Sequence, residues 1–252
     1  MKKEPLHNIW AASIFKRREV LGFLGGNIAV LIAGCLRGQS ASSVSRSQTS
    51  PQTAPACVVR PQQTEGPYFV DNKLDRSDIR SDPADGSVKP GVPLRLVFQV
   101  SGINGSACQP LSGATVDVWH CDALGVYSDV TDPYFNSVGQ KFLRGYQVTN
   151  VKGIAEFVTV YPGCYPGRTV HIHFKIRTNS ASGRSSEFTS QLYFDDAVTD
   201  QVYTQSPYTT KGQRTVRNNQ DGIFQGEGEQ LLLSLTKNAE GYVGNFAIGL
   251  QV

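Results

Sequence analysis

The sequence lacks the patterns typical of helical, zinc-ribbon and membrane-spanning proteins. No long segment repeats apolar residues at the 3.6-residue helical period, and none of the five cysteines stand in a CxxC spacing. The apolar stretch at 20–34 has 15 residues, which is shorter than the roughly 20 that a spanning helix needs. These absences argue against a helical bundle, a cysteine-based zinc site and a transmembrane anchor.

An excess of charge of one sign is also missing from most of the chain. The sequence contains 24 Lys and Arg against 21 Asp and Glu, and residues 1–35 hold five of the basic and two of the acidic ones. Residues 36–252 are therefore neutral overall, with 19 of each. A neutral chain gives no reason to expect nucleic acid or an acidic surface as a partner.

The first 35 residues have the features of an export signal. A basic segment ending in Arg17 and Arg18 resembles a twin-arginine signal, and the apolar stretch follows it. The sequence LIAGC (31–35) resembles a bacterial lipobox, in which Cys35 would carry a lipid. An ordinary signal peptide cut nearby is the alternative. We expect an exported protein, periplasmic or at the cell surface, with Cys35 as the candidate membrane anchor.

The rest of the chain divides into a linker and one folded domain. Residues 36–56 are rich in Ser, Thr, Gln and Pro, which is typical of a flexible linker. Residues 57–252 show short alternating segments separated by turn residues, which predict a single all-β sandwich with functional loops. NVKG (150–153) is a hairpin signal. The predicted strands lie at 94–100, 114–120, 145–149, 154–160, 170–176, 188–194, 231–236 and 242–252.

Four cysteines remain in the predicted domain, an even number that allows disulfides in an exported protein. Cys57 and Cys108 lie in polar, loop-like stretches and form the preferred pair. Cys121 and Cys164 fall within the candidate site region, so their state is left open.

Two of the four histidines occur one residue apart in the strand segment RTVHIHFKI (168–176). Side chains at i and i+2 of a strand point to the same face, so His171 and His173 project together. Histidine is the commonest metal ligand, although two hydrogen-bonded core histidines would give the same pattern. His120 alternates with apolar residues of its own strand and is expected to be structural.

Two loops supply tyrosines near these histidines. The rigid Pro- and Gly-rich segment 160–168 carries Tyr165, and the turn after the strand at 114–120 presents Tyr127. A phenol has a pKa near ~10, so it ionises at neutral pH only beside a strong Lewis acid. Zinc sites normally use His, Cys and carboxylate ligands, so two tyrosines favour Fe³⁺.

Five segments follow one another along the chain: TEGPYFV (64–70), WHCDALGVYS (119–128), FLRGYQVTNVKGIAEFVTVYPG (142–163), YPGRTVHIHFKI (165–176) and SQLYF (190–194). Together they resemble the intradiol ring-cleavage dioxygenases, the group of protocatechuate 3,4-dioxygenase and catechol 1,2-dioxygenase. The resemblance implies one non-haem Fe(III) per chain bound by Tyr127, Tyr165, His171 and His173. Tyr127 matches the tyrosine that stays bound, and Tyr165 matches the one that dissociates.

The resemblance also implies a reaction and further site residues. O₂ would cleave the ring of a catechol-type diol between its two hydroxyls and give a cis,cis-muconate-type diacid. Arg168 and Gln191 match an arginine and a glutamine near the substrate ring and form the expected catalytic set with Tyr165, and Arg168 would stabilise negative charge that develops on the ring. Tyr68 and Trp119 fall in segments that line the substrate pocket. The export signal indicates an exported branch of the family.

Two other functions are compatible with parts of the pattern. A non-catalytic β-sandwich lipoprotein that binds ligands or partners would use the histidines structurally and hold no iron. A zinc hydrolase is disfavoured because no third histidine or carboxylate stands at ligand spacing.

Overall fold

A computed structural model describes residues 57–179 and 185–252. The expected signal segment, Cys35 and the linker lie outside these residues. The elements in chain order are β1 (Pro93–Asn104), β2 (Ala107–Pro110), β3 (Thr115–Trp119), β4 (Thr131–Asp132), β5 (Phe135–Asn136), β6 (Arg144–Val148), β7 (Ile154–Val160), β8 (His171–Asn179), β9 (Ser185–Tyr193), α1 (Asp196–Val202), β10 (Ser234–Lys237) and β11 (Tyr242–Gln251). Four short 3₁₀ helices, Tyr208–Lys211, Asn218–Gln220, Phe224–Gly226 and Gly228–Leu231, lie between α1 and β10.

These strands form two main sheets and a short ribbon. In the five-stranded sheet, β1 pairs in parallel with β11 and antiparallel with β7 and β2, while β10 pairs with β11. The four-stranded sheet has the order β6-β3-β8-β9, with every pair antiparallel. Strands β4 and β5 form the ribbon. The prediction of an all-β sandwich is confirmed.

The core lies between the two main sheets and follows from strand alternation. Leu94, Leu96 and Phe98 of β1 are fully or almost fully buried, as period-2 alternation predicts. The ring of Phe98 contacts Phe174 of β8 in the other sheet, with 5.3 Å between the ring centroids. Phe174 also packs on Phe246 of β11 at 5.4 Å. Burying one face of β8 in this core leaves its other face for the histidines.

The predicted hairpin at 150–153 is wrong, although the turn itself is present. The amide of Gly153 donates to the carbonyl of Asn150, and Gly153 has a φ of +72°, where glycine is favoured. However, β6 pairs with β3 in one sheet and β7 pairs with β1 in the other. The turn therefore carries the chain between the sheets. Turn-forming residues predict where the chain changes direction, but they do not predict which strands pair.

The segment before the last strand also differs from the prediction. The strand expected at 231–236 is replaced by a 3₁₀ helix that ends at Leu231 and a strand that begins at Ser234. Leu231 and Leu233 are buried, so the apolar run reflects burial and not an extended strand. Helix α1 was not predicted, because seven residues are too few for a clear helical period.

A disulfide joins Cys57 to Cys108 of β2, with 5.7 Å between the Cα atoms. This confirms the preferred pairing. Cys121 and Cys164 are free thiols in the structure. Within residues 57–179 and 185–252, no helix has both the length and the apolar character needed to cross a membrane.

Candidate metal centre

The two histidines of β8 share one side of the strand and meet at their Nε2 atoms. His171 and His173 are almost completely buried, and their Nε2 atoms lie 3.1 Å apart. Ile172 and Phe174 project to the opposite side and join the core. The sequence prediction that the two imidazoles project together is confirmed.

The surroundings keep both imidazoles neutral. Burial lowers the pKa of His171 to about 3, and the positive charge of Arg168 adds to this effect. Burial and the neighbouring His171 lower the pKa of His173 well below its usual value. Nδ1 of His171 lies 2.7 Å from the carbonyl of Thr169 and donates to it, which leaves the Nε2 lone pair free for a ligand. Nδ1 of His173 has no partner among the described residues.

Close packing of two loops brings Tyr127 and Tyr165 to the histidines. The amide of Gly163 donates to the carbonyl of Asp122 at 3.1 Å. A Cβ at Gly163 would lie 2.5 Å from the carbonyl oxygens of Asp122 and Ala123, so the approach needs glycine. The loop that carries Tyr127 and the loop that carries Tyr165 therefore pack together near His171, the first residue of β8.

The four predicted ligands surround one space. The ring centroids are 5.6 Å apart for Tyr165 and His171, 5.6 Å for Tyr127 and Tyr165, and 6.2 Å for Tyr127 and His173. Burial raises the pKa of both phenols, and Arg168 opposes this effect at Tyr165. Both tyrosines are therefore neutral phenols unless a cation is present.

The donor atoms at this centre fit a highly charged metal ion. Oη of Tyr127 is buried without a hydrogen-bond partner among the described residues, a situation that costs about 1–3 kcal/mol. A cation among the phenol oxygens and the two Nε2 atoms would give each of these atoms a partner. The described part of the chain contains no group of three or more His, Cys, Asp or Glu suited to a metal. Two phenols and two imidazoles therefore make up the set, and this composition fits Fe(III).

A cavity of about 360 Å³ opens beside Tyr165. Its lining is mainly aromatic and aliphatic and includes Tyr68, which stacks on Tyr127 with centroids 4.5 Å apart. Oη of Tyr68 donates to Asp132, which also lines the cavity.

Trp119 has a different position from Tyr68. It is buried and stacks on His173, with centroids 5.1 Å apart and 10° between the ring planes. It is not among the described residues that line this cavity. The register explains the contact, because Trp119 of β3 pairs directly with His173 of β8. A direct contact between Trp119 and substrate stays a prediction.

Arg168 and Gln191 join the centre through hydrogen bonds. Nη2 of Arg168 donates to Oε1 of Gln191 at 2.7 Å, and Nη1 approaches Oη of Tyr165 at 3.4 Å. Gln191 is completely buried and donates from Nε2 to the carbonyl of Thr64. The structure thus brings Arg168 beside Tyr165 and links Gln191 to it through Arg168.

Two neighbours of this network were missed in the sequence. Oη of Tyr193 donates to Oε1 of Gln191, and Asp221 accepts from Nε of Arg168. Tyr193 could have been found, because it follows Gln191 by two residues and shares its strand face. Asp221 lies in a loop 53 residues after Arg168, and no local pattern marks it.

His120 is a structural histidine, as predicted. One ring nitrogen lies 2.8 Å from the carbonyl of Cys121 and the other lies 2.7 Å from the hydroxyl of Thr159. Burial lowers its pKa to about 4. With both nitrogens engaged, no lone pair remains for a metal.

Known proteins similar to this chain are dioxygenases. A family model described as "Dioxygenase" matches residues 64–219. A catechol 1,2-dioxygenase from Acinetobacter lwoffii is 28% identical over 165 residues, which cover 54% of this chain and 49% of that protein. The chain spans about half the length of the curated relatives it matches.

Two solved structures cover more of the chain. An intradiol ring-cleavage dioxygenase from Tetranychus urticae is 30% identical, with a TM-score of 0.67, and the match covers 77% of this chain and 95% of that one. The dioxygenase domain of a dioxygenase and carbohydrate-binding fusion protein from Streptomyces sp. SirexAA-E is 32% identical, with a TM-score of 0.54 and coverage of 77% and 99%. The chain belongs to the intradiol ring-cleavage dioxygenases, a family of oxidoreductases, and the resemblance in its sequence motifs is confirmed.

Proposed function

We propose that the protein binds one non-haem Fe(III) through Tyr127, Tyr165, His171 and His173 and cleaves a catechol-type ring between its two hydroxyls. Both atoms of O₂ would enter the product, a cis,cis-muconate-type diacid. The observation that carries the proposal is the meeting of two phenols and two imidazole Nε2 atoms in one buried space beside a largely apolar cavity.

The residues of the centre have roles that follow from their positions. Bound Fe(III) would supply the Lewis acidity that ionises the catechol hydroxyls and activates the ring toward O₂. Tyr165 borders the cavity, so its Oη is the atom placed to take a proton from an entering catechol. Arg168 would stabilise negative charge that develops on the ring, as preorganised donors do. Gln191 holds the guanidinium in place through its Oε1.

The cavity supports a small aromatic diol as substrate. Tyr68, Phe135 and Pro166 give it flat apolar walls, and Asp132 and Lys211 are its charged residues. The ammonium of Lys211 already donates to the carbonyls of Leu124 and Cys164. Curated relatives are named for catechol and chlorocatechol, and we propose a catechol of this size class for this chain.

The test is the iron content, colour and product of the purified protein. We expect a wine-red to brown protein with about one iron per chain, because a tyrosine phenolate bound to Fe(III) absorbs visible light. With catechol and O₂ we expect a diacid that carries both oxygen atoms when ¹⁸O₂ is supplied. A colourless protein that stays inactive after incubation with ferric or ferrous iron would contradict the proposal and favour the non-catalytic binding module.

We also propose that the protein is exported and anchored through a lipid on Cys35, which the sequence LIAGC supports. Replacing Cys35 with Ala should move the protein from the membrane fraction to the soluble fraction, while a Cys164→Ala control should not. A wild-type protein that is soluble and begins at a residue other than 35 would contradict the lipid anchor.

A further inference from the structure

We propose that Asp221 is a positioning residue that holds Arg168 against the reacting ring and braces the residue that orients His171. The inference rests on the proposed function, because Arg168 has a catalytic role only if a catechol reacts beside it. The family model matches residues 64–219, so Asp221 lies two residues beyond the segment that this model matches.

The carboxylate of Asp221 is buried and fully used. Oδ2 accepts from Nε of Arg168 and from the amide of Thr169, both at 2.8 Å. Oδ1 accepts from the amides of Ile223 and Phe224 at 2.8 and 3.2 Å. Four donors from two chain segments therefore fix both oxygen atoms. The side chain of Asp221 is only 1% exposed. Because its carboxylate is held in one orientation, Nε of Arg168 has one fixed acceptor to bind.

Two nitrogen atoms of the planar Arg168 guanidinium bind fixed acceptors, and the third points toward Tyr165. Nε is bound by Asp221 and Nη2 by Gln191. Nη1 remains directed toward Oη of Tyr165 at 3.4 Å. Because the donors of arginine form a rigid fork, fixing Nε and Nη2 also fixes where Nη1 points. The direction in which Nη1 of Arg168 points therefore depends on Asp221.

Asp221 also neutralises the positive charge of the Arg168 guanidinium. The side chain of Arg168 is 13% exposed, and a largely buried guanidinium is costly without a charged partner. Among the described residues, Asp221 is the one carboxylate in a salt bridge with Arg168. Without it, the guanidinium would be drawn toward water and away from the ring.

A second connection runs from Asp221 to His171. The amide of Thr169 donates to Oδ2 of Asp221, and the carbonyl of Thr169 accepts from Nδ1 of His171. Asp221 thus holds the amide of the residue whose carbonyl sets the tautomer of His171. One carboxylate supports both an imidazole and a cation of the centre.

The first experiment compares Asp221→Asn with wild type. Amide replacement keeps the size of the side chain and removes its charge. We expect kcat per bound iron to fall about 10- to 100-fold, the range seen for outer partners of a metal site, while KM for catechol changes less than threefold. A matched control is Asp117→Asn, which removes the charge from another buried carboxylate paired with an arginine, Arg177. It should leave kcat per iron within twofold of wild type.

A second variant separates positioning from local folding. Asp221→Ser keeps an oxygen acceptor for the turn amides of Ile223 and Phe224 but cannot reach Arg168 in the same way. We expect the same loss of kcat per iron as in Asp221→Asn. In the Arg168→Gln background, either substitution should cause little further loss, because the residue that Asp221 positions is already gone.

Thermal unfolding of the metal-free variants gives a readout that does not depend on activity. Asp221→Asn should lower Tm, and adding Arg168→Gln should recover part of the loss, because the unpaired buried charge is then removed. Wild-type kcat per iron in either Asp221 variant would overturn the inference, as would an equal further loss in the Arg168→Gln background. Failure of the proposed function would look different, since the wild type itself would then form no ring-cleavage product.

Discussion

Replacing His173 with Ala is expected to remove bound iron and to reduce ring cleavage to background. Nε2 of His173 lies 3.1 Å from that of His171 in a buried space, so truncation to Ala removes one of the two imidazole donors of the proposed centre. The loss should exceed the roughly 10–100-fold effect typical of outer partners of a metal site. Iron per chain, visible absorbance and product formation measure it.

A matched control for this variant is another buried histidine. His120 is also fully buried, but its ring nitrogens are engaged by Cys121 and Thr159. His120→Gln should lower Tm, because the buried carbonyl of Cys121 and the hydroxyl of Thr159 lose hydrogen bonds to the imidazole. The folded protein should keep its iron. Equal iron loss in both variants would show that burial, and not ligation, explains the effect. Full iron content in His173→Ala would remove this histidine from the centre.

Much of the fold and of the candidate centre could be predicted because both depend on local periodicity. Alternation along 94–100 located β1 and its core face, since a strand exposes every second residue to one side. The same rule placed His171 and His173 together. Glycine at 163 and the prolines around it correctly indicated a tight loop that delivers Tyr165, because these residues restrict the backbone wherever they occur.

Features that depend on distant contacts could not be predicted in this way. The turn at 150–153 was correctly placed, but its flanking strands β6 and β7 lie in different sheets. Their sheets are set by their pairing with the distant strands β3 and β1. Asp221 contacts Arg168 across 53 residues of chain, and a single aspartate in a loop has no periodic neighbours to mark it. Trp119 illustrates the same point, since its stacking on His173 follows from strand register.

The two tyrosines are expected to respond differently to the loss of one oxygen atom. Tyr165 is half-buried and borders the cavity, and its Oη is contacted by Arg168. If it is the base for the substrate proton, Tyr165→Phe should bind iron through the three other ligands but lose turnover. General base catalysis contributes about 10²–10⁴-fold, and we expect a loss in this range. Anaerobic addition of catechol, followed by O₂, separates substrate binding from the later steps.

Tyr127 should behave as a permanent ligand, and its burial gives a second way to test this role. Its Oη lacks a hydrogen-bond partner among the described residues, so Tyr127→Phe should leave Tm of the metal-free protein unchanged or raise it. With iron bound, the same variant should lose affinity for the metal and shift the visible band, even when catechol is present. In Tyr165→Phe the band of the catechol complex should instead match that of wild type, because this tyrosine would already have left the metal. Equal changes in iron affinity, spectrum and rate in both variants would contradict this division of roles.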